Sequence, residues 1–362
     1  LLALPLFCVG IIPLALIGVL LAPLSHWLAH GLFWLADAGL QWVLWALIQL
    51  SSQLQLWWPV PSWAMPVSAV LILLWCAWHL PSARPLLLPV VAALVLAVWP
   101  AATAWQLRVL DVGQGLSVLI TKGNRGILYD TGDRYPGGYN MADAVILPLL
   151  NRLDVQVLDH LIISHKDRDH AGNRRTILQA VPVRHELSSF DFGEMTGLCH
   201  RGQQWRWQRL TFAVLWPEHP GHGRNNDSCV VRISDGQHSV LLSGDIEQRA
   251  EQRLVLLEGE GLASTLLVSP HHGSRTSSTV PFVEAVGAGY VVHSAGYINQ
   301  WGFPRPEVVA RYGQARQWVT GQDGAILIEP ASGGLNIRAE RDLGPWYRRG
   351  GSWWMPKLWL GR

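Results

Sequence analysis

The run Ser164-His165-Lys166-Asp167-Arg168-Asp169-His170-Ala171-Gly172 places two imidazoles and two carboxylates at 165, 167, 169 and 170. It follows an apolar stretch, 158–163, that reads as a buried strand. A loop leaving the end of such a strand holds its side chains firmly in a cleft. Imidazole and carboxylate together form a donor set for a Lewis-acid divalent metal, and alternate positions converge on one point. A lone His is more often structural, but this density of ligand-type residues predicts a metal site. Two later segments repeat the pattern. Leu241-Leu242-Ser243-Gly244-Asp245 carries an Asp just past an apolar strand, and Val268-Ser269-Pro270-His271-His272-Gly273-Ser274 carries a His pair in the same place. Each alone is weak, since an Asp after Gly often only makes a turn. The three in this order reinforce one another. Asp130, which opens Asp130-Thr131-Gly132 after a strand, reads as an acceptor that orients the metal loop or as a turn residue.

Positioning those residues takes short strands and helices. Strands are expected at 107–111, 117–121, 126–129, 158–164, 210–216, 229–234, 239–243, 265–269 and 290–294. Helices are expected at 141–153, 173–180, 246–257, 280–286 and 306–314. Strand-rich halves flanked by helices suit a two-sheet sandwich covered on both faces. Trp205-Arg206-Trp207 offers rings for base stacking, and more simply reads as a strand with alternating faces.

Ahead of this region the composition changes. Residues 1–105 contain one acid, Asp37, and one base, Arg84. Such a charge-poor stretch rich in Leu, Val, Ala and Trp reads as membrane. Residues 1–23 are apolar throughout and long enough to cross a bilayer, with kinks expected at Pro5, Pro13 and Pro23. Over 25–57, His26, His30, Asp37, Gln41 and Gln49 recur at near-helical spacing, which predicts an amphipathic helix. Two further apolar segments, 66–80 and 86–102, flank the tight hairpin 81–85 and are expected to form a transmembrane pair. The implied domains are a membrane segment at 1–104, a soluble domain at 105–341 and an aromatic-basic tail at 342–362. The chain opens Leu1-Leu2-Ala3 and first shows Met at Met65, so a longer protein is expected, and the start lacks the basic region of a signal peptide. A formal charge of +2 does not by itself imply nucleic acid. Cys199 and Cys229 are available to pair, which sequence leaves open.

The order of motifs resembles the metallo-β-lactamase superfamily, whose signature is His-x-His-x-Asp-His, a later His, Gly-Asp and a final His. More narrowly it resembles the C-terminal part of ComEC-type competence proteins. That likeness rests on Leu110-Asp111-Val112-Gly113-Gln114-Gly115, Tyr129-Asp130-Thr131-Gly132, Asp167, Asn225-Asn226-Asp227-Ser228, Ser243-Gly244-Asp245-Ile246 and His271-His272-Gly273-Ser274. It covers about 105–330, and 1–102 resembles the end of the family's membrane region. The resemblance implies an α/β fold, an αββα sandwich preceded by transmembrane and amphipathic helices, with the site at the sandwich edge. It implies one metal position from Asp169, His170, Asp245 and His271, and a second from His165, Asp167 and a bridging Asp245. His271 is preferred to His272 as the first off the strand. Asp111, Gln114, Asp130, Asn226, Ser228 and His272 would support these ligands or touch substrate, and Gln114 with its glycines suggests close approach to a phosphate. Asp167 stands where the superfamily has its second His, and no clear His fills the third motif. His219 and His222 lie nearby and read as surface residues. The second position is therefore oxygen-rich and weaker, tilting preference from Zn²⁺ toward Mn²⁺. Leu116 and Phe303 stand where relatives often have Asp and His.

The function this implies is hydrolysis of DNA phosphodiester bonds at an inner-membrane uptake channel, with one or two divalent ions, and Asp169, Asp167 and Asp245 as the catalytic acids. One strand would be degraded as the other is imported during transformation. Expected partners are single-stranded or incoming duplex DNA, membrane lipid and other uptake proteins. The alternatives are a catalytically silent metal- and DNA-binding or gating domain, and a hydrolase of another ester. Arg84 in the hairpin 81–85, placed on the cytoplasmic side by the charge rule, would put the soluble domain in the periplasm.

Overall fold

The computed structural model describes residues 6–53, 104–193, 196–331 and 333–343. The segments 66–80 and 86–102, the hairpin with Arg84, and the tail from 344 onward lie outside the described residues. The chain divides into two compact units, Leu1–Val98 and Trp99–Arg362.

In the first unit a π-helical turn, Leu6–Ile11, runs into α1, Ile12–Leu21, and a turn leads to α2, His26–Gln53. Ala29, Ala36 and Val43, two turns apart in sequence, form the buried stripe of α2. Gly18 lets Phe33 sit on α1; a Cβ there would lie 2.9 Å from its ring. His26, His30, Asp37 and Gln41 form a narrow exposed polar stripe, in which Gln41 donates to Asp37 at 2.8 Å. Beside it Trp27, Trp34 and Trp45 are exposed. Among the described residues no helix is long and apolar enough to cross a membrane. Of the span expected at 1–23, the described residues form the π turn and α1, ending at Leu21.

The second unit holds two sheets. The first is built from β1 (Gln106–Val109), β2 (Val118–Lys122), β3 (Arg125–Tyr129), β4 (Val157–Ile163), β5 (Val183–Ser188), β6 (Gly197–Leu198), β14 (Ile326–Ala331) and β15 (Gly334–Ala339), in the order β15-β14-β1-β2-β3-β4-β5-β6. The second runs β13 (Arg316–Val319), β12 (Tyr290–His293), β11 (Leu266–Val268), β10 (Ser239–Leu242), β9 (Val230–Ser234), β8 (Leu210–Trp216), β7 (Gln204–Trp207). Each sheet is antiparallel on one side and parallel on the other, with β3-β4-β5-β6 parallel in the first and β10-β11-β12-β13 in the second.

Three apolar layers hold this together. Leu107, Val118 and Ile127 of the first sheet face Phe212, Val231 and Leu242 of the second. On the outer face of the first sheet, Leu128 and Leu161 meet Leu150 of α3 (Leu147–Arg152) and Ile177 of α4 (Arg174–Ala180). On that of the second, Leu241 and Leu267 meet Leu254 of α5 (Gln248–Glu258), Phe282 of α6 (Val280–Val286) and Val308 of α7 (Pro306–Arg311). The result is the expected αββα sandwich. Fully burying one such side chain contributes about 1.5–3 kcal/mol, so strands buried on both faces read as near-continuous apolar runs. That explains why β4, β10 and β11 were plain in sequence. Strands β5, β6, β13, β14 and β15 were not marked. β5 carries exposed Arg184 and His185, and the β14–β15 hairpin interleaves its buried residues with Glu329, Pro330 and Asn336.

Candidate metal centre

Loops leaving the carboxyl ends of β4, β10 and β11 meet at one edge of the sandwich, where parallel sheets characteristically present their sites. β4 ends at Ile163, and both the amide and the hydroxyl of Ser164 donate to Asp130 at 2.7 Å. Asp130 Oδ2 also accepts from His170 Nδ1 at 2.8 Å. Asp130 thus orients a ring rather than merely making a turn. The single helical turn Arg168–Ala171 carries Asp169 and His170. Its carbonyls are fixed from outside: Leu116 donates to Asp169 O at 3.1 Å, and Thr131 N and Oγ1 donate to His170 O at 2.7 and 2.8 Å. Gly115 permits this approach, since a Cβ there would lie 2.4 Å from Asp169 O.

Asp245 follows β10 through Gly244 (φ +55°), where a Cβ would press on Ser228 and Ser164. Its amide donates to Ser228 Oγ at 3.0 Å. After β11, His271 and His272 both adopt left-handed φ values of 51° and 57°. This turns the second ring, not the first, into the site. His272 Nδ1 donates to Ser294 O at 2.7 Å, which directs Nε2 toward Asp169 Oδ2 at 3.3 Å and Asp245 Oδ2 at 3.4 Å. Asp169, His170, Asp245 and His272 each offer a ligand atom, all within 4.8 Å of one another. The first sheet supplies two of these residues and the second sheet the other two.

The preference for His271 is therefore corrected. Its Nε2 is 3.9 Å from Asp245 Oδ2, while its Nδ1 faces Glu247 at 3.4 Å and its ring packs on Phe303. His165 is buried, with Nδ1 3.0 Å from Ser164 Oγ and 3.4 Å from Ser228 Oγ, and Nε2 3.6 Å from half-exposed Asp167. Of the expected supporting residues, Ser228 and Asp130 touch ligands directly. Asn226 instead caps α5, accepting from Glu247 N at 3.0 Å. Asp111 lies 3.5 Å from Arg341, and Gln114 accepts from Gly296 at 3.4 Å. Trp205 stacks on both His160 and Phe212 within the domain, with centroids 5.0 and 5.1 Å away. Sequence reasoning passed over Thr131, Asn173 and Glu251. Asn173 Nδ2 donates to three consecutive carbonyls, 131–133, and buried Glu251 accepts from the 278 and 279 amides below the His pair. A polar residue before or inside a helix gave no signal of such roles.

The donor set suits a divalent cation. His165 Nε2 is buried and makes no hydrogen bond, an arrangement costly unless something else is bound there, and buried Asp245 Oδ1 makes none either, with His170 Nε2 beside it at 3.2 Å. Burial opposes charge on every member, yet the group charges mutually. His170 and His272 hold Asp245 well below the usual carboxylate range, and His170 does the same for Asp169. Against its burial, His170 is raised well above the usual imidazole value by Asp245 and Asp130, and His272 is raised to about 9, chiefly by Asp245. The carboxylates are thus ready to bind a cation, while the rings must first release protons. Metal affinity should therefore rise with pH below about 9, by about tenfold per unit for each proton displaced. Titration calorimetry at pH 6, 7 and 8 checks this; a constant affinity would contradict it.

A disulfide joins Cys199, just after β6, to Cys229, just before β9, with Cα atoms 5.9 Å apart. Cys229 N donates to Ser164 O at 2.8 Å, so the bridge lies directly behind the ligand loops.

The profile of the metallo-beta-lactamase superfamily matches residues 110–293. Over 368 residues the chain is 34% identical to the uncharacterized protein YcaI of Escherichia coli, covering 96% of this chain and 47% of that one. It is 39% identical over 252 residues to recombination protein 2 of Haemophilus influenzae, with 68% and 31% covered, and 33% identical over 331 residues to competence protein ComA of Neisseria gonorrhoeae, with 85% and 44% covered. The chain spans less than half the length of each of these relatives.

Proposed function

The chain belongs to the metallo-β-lactamase superfamily, and its relatives bear out the ComEC-type resemblance; from that premise we propose that it hydrolyses DNA phosphodiester bonds during DNA uptake. The observation that carries the chemistry is the convergence of Asp169, His170, Asp245 and His272 beside the buried His165 Nε2, which makes no hydrogen bond. Held there, a divalent ion would supply Lewis-acid activation of the phosphodiester and of the attacking water. Asp169, His170, Asp245 and His272 would hold one ion, and His165, Asp167 and Asp245 a second, weaker one that favours Mn²⁺ over Zn²⁺. Asp167 is kept ionised by its contact with His165 and is half-exposed, so it can take the proton that the water gives up. Asp130, Ser164 and Ser228 keep the two histidines of the 165–170 run in register.

The setting is an inner membrane, with the catalytic domain on its periplasmic side. The charge-poor 1–105 stretch and the exposed Trp27, Trp34 and Trp45 support the membrane contact. The Cys199–Cys229 disulfide supports an oxidising compartment. Lipid and other uptake proteins would be its neighbours there. The test is incubation of the full chain, in detergent, with linear single-stranded and duplex DNA in Mn²⁺, Zn²⁺ or chelator. Metal-dependent cleavage of either substrate is expected. An intact, metal-loaded chain that leaves both uncut would instead leave a binding or gating domain.

A further inference from the structure

Four rings lead from the surface into the metal cluster. Trp301 lies nearly parallel to Phe303, with centroids 6.4 Å apart and planes at 19°. Phe303 packs edge-on against His271 at 6.0 Å, and His271 against His272 at 6.2 Å. The outermost ring is 45% exposed, and its neighbour Ile298 is 84% exposed. Ile298 also holds φ +47°, a strained value for a β-branched residue, of the kind that gathers at ligand clamps.

The loop that presents them is fixed. Asn299 Nδ2 donates to Gly296 O and Phe303 O at 2.9 and 2.7 Å, and its Oδ1 accepts from Phe303 N at 2.8 Å. Arg305 N donates to Gly273 O at 2.9 Å, tying the loop to the His272 turn. The Arg305 guanidinium sits over the Phe303 ring at 5.8 Å, and its buried Nε makes no hydrogen bond. An exposed indole stacked on a second ring that carries a guanidinium matches how proteins hold single-stranded nucleic acid: a base stacks on the outer ring while the cation meets the backbone.

We propose that Trp301, backed by Phe303, is a stacking platform for an unpaired base of single-stranded DNA, with Arg305 at the adjoining phosphate, and that it aligns the strand entering the metal cluster. This rests on the reading that the cluster acts on polynucleotide. A lipid contact explains the exposed ring less well, because it does not require a ring ladder that ends at ligands.

The test compares binding of fluorescein-labelled dT12 and of an abasic strand of equal length to the full chain in detergent, with chelator present so that nothing is cleaved. Trp301→Ala should weaken dT12 binding by about tenfold and leave the abasic strand's affinity as it was, whereas Trp301→Phe should retain most of the native affinity. Native dT12 affinity in Trp301→Ala would overturn the proposal and leave Trp301 a lipid-facing or structural ring. Equal losses for both strands, or no dT12 binding by the native chain, would overturn it as well. Since no ion is present, a failure of the native chain to cleave DNA sinks the nuclease reading without altering this comparison.

Discussion

Asp245→Ala should leave the chain without measurable tight metal binding and without DNA cleavage, while its circular dichroism stays native. The carboxylate is buried against both histidines of the cluster, with Oδ1 3.2 Å from His170 Nε2 and Oδ2 3.4 Å from His272 Nε2, whereas Asp169 meets His272 at 3.3 Å and His170 only at 3.8 Å. It is also the only ligand that both proposed ion positions would share. Removing it takes away the counter-charge that raises both imidazoles, and a carboxylate that both ion positions would use. Asp130→Ala should be milder, since Asp130 acts through His170. A loss of roughly 10- to 100-fold in metal affinity is the usual scale for such an orienting partner. Metal titration with activity assays on both variants reads the contrast. An Asp245→Ala chain that binds metal and cuts DNA at native levels would refute Asp245 as a shared ligand.

Replacing Cys199 and Cys229 with Ser should lower the stability of the second unit by about 3.6 kcal/mol, the loop-closure value for a bridge with a sequence separation of 30. The effect should reach the metal centre as well. Cys229 N holds Ser164 O, and the neighbouring Ser228 supports both His165 and the Asp245 amide. Denaturant unfolding with and without reductant measures the first effect, and metal titration of the double-Ser variant the second. An unchanged unfolding midpoint would show that the bridge contributes no stability.

What could be read in advance followed from local chemistry. The dense run 165–170, the Gly-Asp after β10 and the His pair after β11 declare ligands because carboxylates and imidazoles past buried strands have few other uses. The apolar runs of β4 and β10 declare double-sided burial. The choice between His271 and His272 was not legible, because it depends on two successive left-handed residues. In an extended chain the first His off the strand has the better claim; the curled backbone gives that place to the second. Asp111 and Asn226 fit a family pattern equally well as site or scaffold, and only tertiary contacts separate the two. Asp111 meets Arg341 and Asn226 caps α5, partners far away in sequence. The strands after 316 escaped for a similar reason. β14 is specified by pairing with β1, Leu107 opposite Ile328, more than by its own alternation.

The division of the four cluster residues, two from each sheet, gives an ion a mechanical role. Asp169 and His170 travel with β4, while Asp245 and His272 travel with β10 and β11. Once bound, a cation would rivet the two halves of the sandwich at their open rim, and the sheets could not part there without shedding it. Free metal at a thousand times the dissociation constant would add about 4 kcal/mol to the folded state. The working life of the domain would then follow the metal supply of its compartment: starved of ions it would be both inactive and easier to clear, and replete it would be active and durable.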